Sequence, residues 1–220
     1  MFNFAFRIPN EMKYNEKQLQ IINTAESLFA SKGYDGTSVR DIADEAGINI
    51  AMISYYFGSK EKLMQALIEE RTDQVRLRVE RLLNDNSLLP FEKISVLIDE
   101  YVARVVQKRQ FYKIMVCEQM LEKNHVITDL LNGLKRQTSE MINQIIKDGQ
   151  KKKVFKKGID VVLLTNTMVG TVMQTFINQE YYKFYNNLNH LSEVEFQSYL
   201  QKKLSTHIKS LFKAILSYES

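Results

Sequence analysis

Hydroxyl and cationic side chains that could bind phosphate occur together in one short part of the chain. Thr37 and Ser38 stand at the predicted start of a helix, where free backbone amides and the helix dipole attract an anion, and Arg40 follows in its first turn. Tyr55 can direct a hydroxyl toward a phosphate group, and Lys60 begins a later helix. The alternative for Thr37 or Ser38 is a helix cap alone, and for Lys60 it is an exposed charge.

Signatures of catalysis and of metal binding do not stand out in the sequence. The three histidines, His125, His190 and His207, are scattered and form no HExxH pattern. The single cysteine, Cys117, excludes an intrachain disulfide framework and lies in an apolar run typical of a buried thiol. No phosphate loop, nucleophile–base motif or pair of catalytic carboxylates is evident. We therefore expect a protein that is not an enzyme and that needs no cofactor and no metal.

Composition favours a globular all-α protein. Of the 220 residues, 45% are hydrophobic and 25% charged, and only two prolines interrupt long stretches in which apolar residues recur at helical spacing. The apolar run "VVLLTNTMVGTVMQTFI" contains threonine, asparagine and glutamine, which predicts a buried helix rather than a membrane span. The N-terminus lacks a basic leader and a cleavage site, and Met12 is an alternative start. We expect a cytoplasmic location without membrane association.

The helical pattern divides the chain into a small part and a larger one. In the small part it predicts helices from Glu16 to Ser31, from Ser38 to a break at Gly47, and from Asn49 to Phe57. Another helix follows from Ser59 to about Leu83. The larger part adds five predicted helices: Phe91 to Gln107, Phe111 to Leu121, Val126 to Lys147, Ile159 to Tyr185 and Ser192 to Ser217.

The second and third predicted helices have the layout of a helix-turn-helix. Ala43 is small enough for the helices to cross closely, Gly47 permits the sharp turn, and Ile48 fills the space beneath it. Ile53 packs the third helix onto the second. A plain three-helix bundle is the alternative.

Residues 16 to 63 resemble the DNA-binding domain of the TetR family of transcriptional regulators. The matching positions are Ala25, Leu28, Phe29, Gly33, Tyr34, Thr37, Ile42, Ala43, Ala46, Gly47, Tyr56, Phe57, Ser59, Lys60, Glu61 and Leu63. The resemblance implies a homodimer whose third helices enter the major groove of a palindromic double-stranded DNA operator. It also implies repression that a small-molecule effector relieves. We expect a tail over 1–14, the helix-turn-helix domain over 15–62, and a helical regulatory and dimerisation domain over 63–220.

Base contacts are expected from the exposed face of the third helix, because Ile48, Met52, Ile53 and Tyr56 face inward at helical spacing. This segment carries no charge. Many relatives have a lysine or arginine where Ile50 stands and a tyrosine where Ser54 stands, so readout through Asn49, thymine methyl groups and DNA shape is expected. The predicted DNA-binding residues are Thr37, Ser38, Arg40, Asn49, Ile50, Ala51, Ser54, Tyr55 and Lys60.

The net charge of the small domain gives no indication that it binds DNA. Residues 1–62 contain seven Lys and Arg against eight Asp and Glu, a net charge of −1. The acidic residues Asp35, Asp41, Asp44 and Glu45 must then lie away from the groove. We expect few phosphate contacts per protomer and a moderate dependence of affinity on salt.

The larger domain is expected to carry an effector pocket and a dimer interface. For each set the alternative is ordinary core, and a second hypothesis for control is a protein partner without a small-molecule ligand. The ligand-binding candidates are Tyr101, Phe111, Met115, Glu118, Met120, Met168 and Gln174. The candidates for a four-helix dimer interface are Val162, Thr165, Val169, Met173, Phe176, Leu204, Ile208 and Leu211.

Overall fold

The computed structural model describes residues 13–121 and 124–218, with the backbone alone for Gln74. These residues form helices joined by turns, and no strand occurs among them, which confirms the all-α prediction. Residues 1–12 of the predicted tail lie outside the described residues. The helices are α1 Glu16–Lys32, α2 Val39–Glu45, α3 Ile50–Phe57, α4 Lys60–Asn84, α5 Pro90–Gln107, α6 Arg109–Leu121, α7 His125–Lys151, α8 Val161–Ile177, α9 Gln179–Tyr185 and α10 Glu193–Leu216.

One predicted helix, from Ile159 to Tyr185, is wrong because it is two helices. α8 and α9 are bent by 77° at Asn178, whose φ of −104° and ψ of 28° leave the helical geometry. An asparagine side chain competes for backbone hydrogen bonds and is therefore poorly placed inside a helix. No single helix of the described residues is long and apolar enough to cross a membrane, although the bent pair α8–α9 meets the criterion by length and composition.

The chain separates into two compact units. The first runs to Asp73 and includes Lys113–Thr128, and the second holds Gln74–Tyr112 and the chain from Asp129 onward. Helices α4, α6 and α7 each contribute residues to both units. These units do not follow the predicted division at residue 62, so that domain boundary stays a prediction.

The core of the first unit holds the three short helices together. Ile22 and Ala25 of α1, Ile42 and Ala43 of α2, and Ile53 of α3 are all at most 1% exposed. The turn between α2 and α3 is fixed by Gly47, whose φ of 62° suits glycine. The Gln20 amide of α1 donates to the Ala46 carbonyl at 2.8 Å. The helix-turn-helix geometry therefore follows from burial on one side and from hydrogen bonding at the turn.

The second unit has its own apolar core. It is built from one face of α5, the C-terminal half of α7, parts of α8 and the inner face of α10. Phe155, in the loop after α7, lies against Gly149, where a Cβ atom would meet its ring at 2.1 Å. Helix α10 contributes six residues to this core, all buried at helical spacing: Phe196, Leu200, Leu204, Ile208, Phe212 and Leu216.

A buried ion pair joins α1 to α4 within the first unit. The Arg71 guanidinium donates two hydrogen bonds to Glu26 Oε2, at 2.9 and 2.7 Å, and a third to Asn23 Oδ1 at 2.6 Å. The two charged side chains are 13% and 9% exposed. Such a pair restricts how α4 can turn on α1, because separating the partners leaves a charge in a nonpolar surrounding.

We predict that Arg71→Ala lowers the free energy of unfolding by about 3 kcal/mol, since it leaves the Glu26 carboxylate buried without its cation. Urea unfolding followed by circular dichroism measures this change. The matched control is Lys17→Ala, an exposed cation of α1 whose loss should change stability by less than about 0.5 kcal/mol. Equal effects of the two substitutions would contradict the assigned role of Arg71.

Candidate nucleic-acid interface

One face of α3 is turned outward. Ile53 and Phe57 are 1% and 8% exposed, whereas Tyr55 is 82% exposed and Ile50 41%. Ala51 and Ser54 are also exposed. An eight-residue helix that shows an isoleucine and a tyrosine to the outside has a surface suited to thymine methyl groups and base edges. The outward face is the one predicted from helical spacing.

Asn49 has two roles that its side chain can perform together. Its Oδ1 accepts a hydrogen bond from the Ala51 amide at 2.8 Å and so caps α3. The residue is exposed, and its amide group is a donor that suits an adenine edge. A serine at this position would keep a cap and remove the amide donor, which separates the two roles experimentally.

The N-terminus of α2 contains an acidic group as well as hydroxyls. The Ser38 hydroxyl donates to Asp41 Oδ2 at 2.6 Å, and the Ser38 amide donates to the same oxygen at 2.7 Å. These bonds lower the pKa of Asp41. Asp41 therefore lies beside the predicted phosphate-binding hydroxyl of Ser38, and the expectation that it lies away from the DNA groove stays a prediction. Amides of the first turn and the exposed Arg40 remain as groups that attract phosphate.

Thr37 is a structural residue in this loop. It is 1% exposed, and its hydroxyl donates to the Gly33 carbonyl at 2.8 Å. A side chain with no exposed surface cannot reach a phosphate, so the prediction that Thr37 contacts DNA through its hydroxyl is corrected. Its hydrogen bond fixes the loop that leads into α2.

Hydrogen bonds from Lys60 hold the same loop against the start of α4. Its Nζ donates to the Tyr34 carbonyl at 2.9 Å and to the Thr37 carbonyl at 3.0 Å. It also lies 4.1 Å from the centre of the Tyr34 ring. The half-buried ammonium therefore positions the residue before the α2 cap, and direct phosphate contact by Lys60 stays a prediction.

Tyr34 links this loop to residues from much later in the chain. Its ring packs on Phe29 at a centroid distance of 5.4 Å. Its hydroxyl forms a hydrogen bond with the Asn124 side chain, and burial together with nearby Glu61 and Glu118 raises its pKa to about 12. Asn124 also caps α7 through the Ile127 amide at 3.1 Å. Sequence reasoning gave Tyr34 no such role, because the spacing of a single helix contains no signal for a contact this distant.

The predicted effector residues fall in both compact units. Met115, Glu118 and Met120 belong to the first unit, and the other four belong to the second. Glu118 and Phe111 are buried, whereas Met120 is 81% exposed. Gln174 is exposed as well. Their shared role in ligand binding stays a prediction.

The predicted interface residues also divide by burial. Val162 and Val169 are 56% and 39% exposed on α8. Thr165, Met173, Phe176 and Leu211 are half-buried. Leu204 and Ile208 are only 5% and 1% exposed within the core of their own unit. Buried side chains have no surface to offer a partner, so we leave those two out of the interface proposed below.

The helix-turn-helix with an exposed third helix defines a DNA-binding protein. A family profile described as bacterial regulatory proteins, tetR family, matches residues 21–67. A second profile, the tetracyclin repressor-like C-terminal domain, matches residues 90–206, more than half of the chain. The chain belongs to the TetR family of transcriptional regulators.

Similar proteins include regulators from Bacillus and Mycolicibacterium. The fatty acid metabolism regulator protein of Bacillus subtilis is 24% identical over 159 residues, which is 72% of this chain and 81% of that protein. The transcriptional repressor KstR2 of Mycolicibacterium smegmatis is 24% identical over 164 residues, 74% of this chain and 78% of that protein.

Solved structures show the same fold. FadR of Bacillus halodurans, a fatty acid degradation regulator, aligns with a TM-score of 0.69 at 19% identity and covers 90% of this chain and 97% of that one. FadR of Bacillus subtilis, solved in complex with stearoyl-CoA, aligns with a TM-score of 0.65 at 21% identity and covers 87% of this chain and 97% of that one.

We predict that Thr37→Val lowers the free energy of unfolding by about 1 kcal/mol, because it removes a buried donor at nearly constant volume. DNA affinity under conditions where the variant is folded should not change, since the Thr37 hydroxyl is buried and bonded to the Gly33 carbonyl. Thr37→Ser keeps the hydroxyl and is the control. Weaker DNA binding by Thr37→Val, with stability unchanged, would restore the phosphate role.

Proposed function

We propose that the protein is a repressor that binds a palindromic operator as a homodimer and is released by a small-molecule ligand. The observation that carries DNA recognition is the exposed surface of α3, where Ala51 and Tyr55 lie opposite the buried Ile53, and Ile50 and Ser54 are exposed beside them. Arg40 and the first turn of α2 supply the neighbouring phosphate contacts. Two copies related by a twofold axis would read two half-sites.

The dimer rests on the surface of α8. This helix is rich in apolar residues, yet only Leu164 and Val172 of it are buried within the protomer. Val162, Leu163 and Ile177 are 56%, 64% and 64% exposed, and Val169 lies near Val162 on the helix surface. Threonine hydroxyls of α8 bond carbonyls one turn earlier, so they add little polarity to the surface. An exposed apolar face of this kind favours a second copy as its cover.

The proposal that a ligand releases the protein from its operator is based on similar proteins. The fatty acid metabolism regulator and the FadR–stearoyl-CoA complex indicate that acyl compounds are the first class to screen. The second unit offers aromatic side chains such as Tyr101 and Tyr112, which pack against its apolar core and suit a ligand with an apolar chain.

We predict that selection from a random DNA pool enriches a palindrome. Asn49→Ser keeps a cap on α3 but removes the amide donor, so it should relax discrimination at one base position by roughly 5- to 100-fold. Arg40→Ala should instead weaken binding to all sequences and reduce the slope of log affinity against log salt by about one.

Selection with each variant and salt-dependent titration against the enriched site check these two roles. Lys17→Ala, an exposed cation of α1, is the control for a general charge effect. Absence of any enriched motif would contradict the proposed function. Altered base preference for Arg40→Ala, together with general weakening for Asn49→Ser, would reverse the two role assignments.

A charge on the α8 face should separate the dimer. We predict that Val169→Asp shifts the protein to monomers at micromolar concentration, measured by sedimentation equilibrium, because a carboxylate would be buried without a partner. Val154→Asp places the same charge at a valine that is 47% exposed in the loop after α7, and the dimer should persist. A dimeric Val169→Asp protein would place the interface elsewhere.

A further inference from the structure

A cluster of charged and phenolic side chains lies in the second unit, and we name it the Arg104 cluster after its central residue. Arg78 Nε donates to Glu100 Oε1 at 2.6 Å. Arg104, one turn after Glu100 on α5, approaches the other carboxylate oxygen only to 3.6 Å, which is too long for a hydrogen bond. Glu100 is therefore held by Arg78 rather than by Arg104.

Two polar atoms of this cluster have unmade hydrogen bonds. Arg104 Nε and Glu100 Oε2 are buried and have no hydrogen-bond partner among the described residues. Buried polar atoms are normally paired, and each exception calls for a partner such as water or a ligand. Within the cluster, two guanidinium groups face one carboxylate, so the excess charge is positive. The hydrogen bond of Glu100 goes to Arg78, so Arg104 is the guanidinium whose Nε remains without a hydrogen-bond acceptor among the described residues.

Two tyrosines provide aromatic surface beside Arg104. The rings of Tyr101 and Tyr112 meet edge to face, 5.8 Å apart at 89°. Burial raises the pKa of both phenols, and the charge of Arg104 opposes that rise at Tyr112. Tyr101 precedes Arg104 by three residues on α5, so the two side chains occupy neighbouring positions on the helix surface. Both rings also pack against the apolar core of the unit. A cation next to buried aromatic surface suits a ligand that is charged at one end and apolar along its length.

We propose that Arg104 binds the anionic head group, a carboxylate or a phosphate, of an amphipathic acyl effector. The Nε and Nη2 atoms form a fork that donates to two oxygens of such a group, and Tyr101 and Tyr112 lie beside its apolar chain. Glu100 competes for the same side of the guanidinium and therefore weakens anion binding. This inference rests on the proposed ligand control and names the residue that recognises the ligand.

The test is calorimetric titration of the full chain with oleate, oleyl alcohol and oleoyl-CoA below their micelle concentrations. We expect at least one of the anionic probes to bind about tenfold or more tightly than the alcohol. Arg104→Met should weaken that probe by about 10- to 100-fold and leave the alcohol unchanged. Arg104→Lys, which keeps the charge without the fork, should give an intermediate affinity.

Glu100→Gln should change the affinity for the anionic probe in the direction opposite to Arg104→Met. It removes the competing carboxylate, so the anionic probe should bind more tightly than it does to the unmodified chain. Lys209→Met is the matched control, because Lys209 of α10 forms a half-buried ion pair with Asp99 of α5, the helix that carries Arg104. It should leave all three affinities unchanged. Circular dichroism and thermal unfolding confirm that each variant is folded.

The outcomes distinguish a carboxylate from a phosphate head group, and they distinguish ligand binding by Arg104 from a purely structural role of the cluster. Sensitivity of oleate to Arg104→Met assigns the head group to a carboxylate, and sensitivity of oleoyl-CoA alone assigns it to a phosphate. Equal losses for the acid, the thioester and the alcohol would show a structural cluster and overturn the inference, as would weaker anion binding by Glu100→Gln. Failure of all three probes to bind also overturns it, while operator selection, measured without a ligand, decides the DNA-binding function independently.

Discussion

Burial of Ile53 and Phe57 is the constraint on which the DNA-binding surface depends. A helix of eight residues is not stable by itself in water, so α3 depends on the burial of these side chains and on its packing against α2. Since side chains on a helix have fixed angular spacing, burying this pair turns Ala51 and Tyr55 outward, whereas Ile50 shares the buried face and is exposed in the first turn of the helix. The same packing that makes α3 stable therefore decides which of its residues stay exposed.

The loop before α2 depends on hydrogen bonds rather than on apolar packing alone. The Lys60 ammonium holds two of its carbonyls, and the Thr37 hydroxyl holds a third. Asp41 takes both the hydroxyl and the amide of Ser38. Polar residues that are suited to phosphate thus stabilise the loop, and the negative net charge of the first 62 residues limits attraction of DNA to a few positions. Such a surface favours recognition by shape and base contacts over general electrostatic binding.

The second unit leaves apolar surface on α8 that its own core does not cover, while the inner face of α10 is used within the protomer. This division explains why the periodicity of α10 was misleading for Leu204 and Ile208. A stripe of apolar residues shows that a face is buried, but it does not distinguish burial within a chain from burial between two chains. The bend at Asn178 was not predicted because the helical spacing of apolar residues continues across it, so periodicity does not show where one helix ends and the next begins.

Local chemistry in the sequence determined the helices, the glycine turn, the outward face of α3 and the family, because helical periodicity, caps and turn residues act over a few positions. Tertiary structure alone decided the roles of Thr37, Lys60 and Tyr34. Their partners are carbonyls, rings and an asparagine up to ninety residues away, and a hydroxyl or an ammonium has the same sequence signature whether it meets phosphate or backbone. The pairing of Arg78 with Glu100, which leaves Arg104 in excess, was decided in the same way, because it joins two helices that only folding brings together.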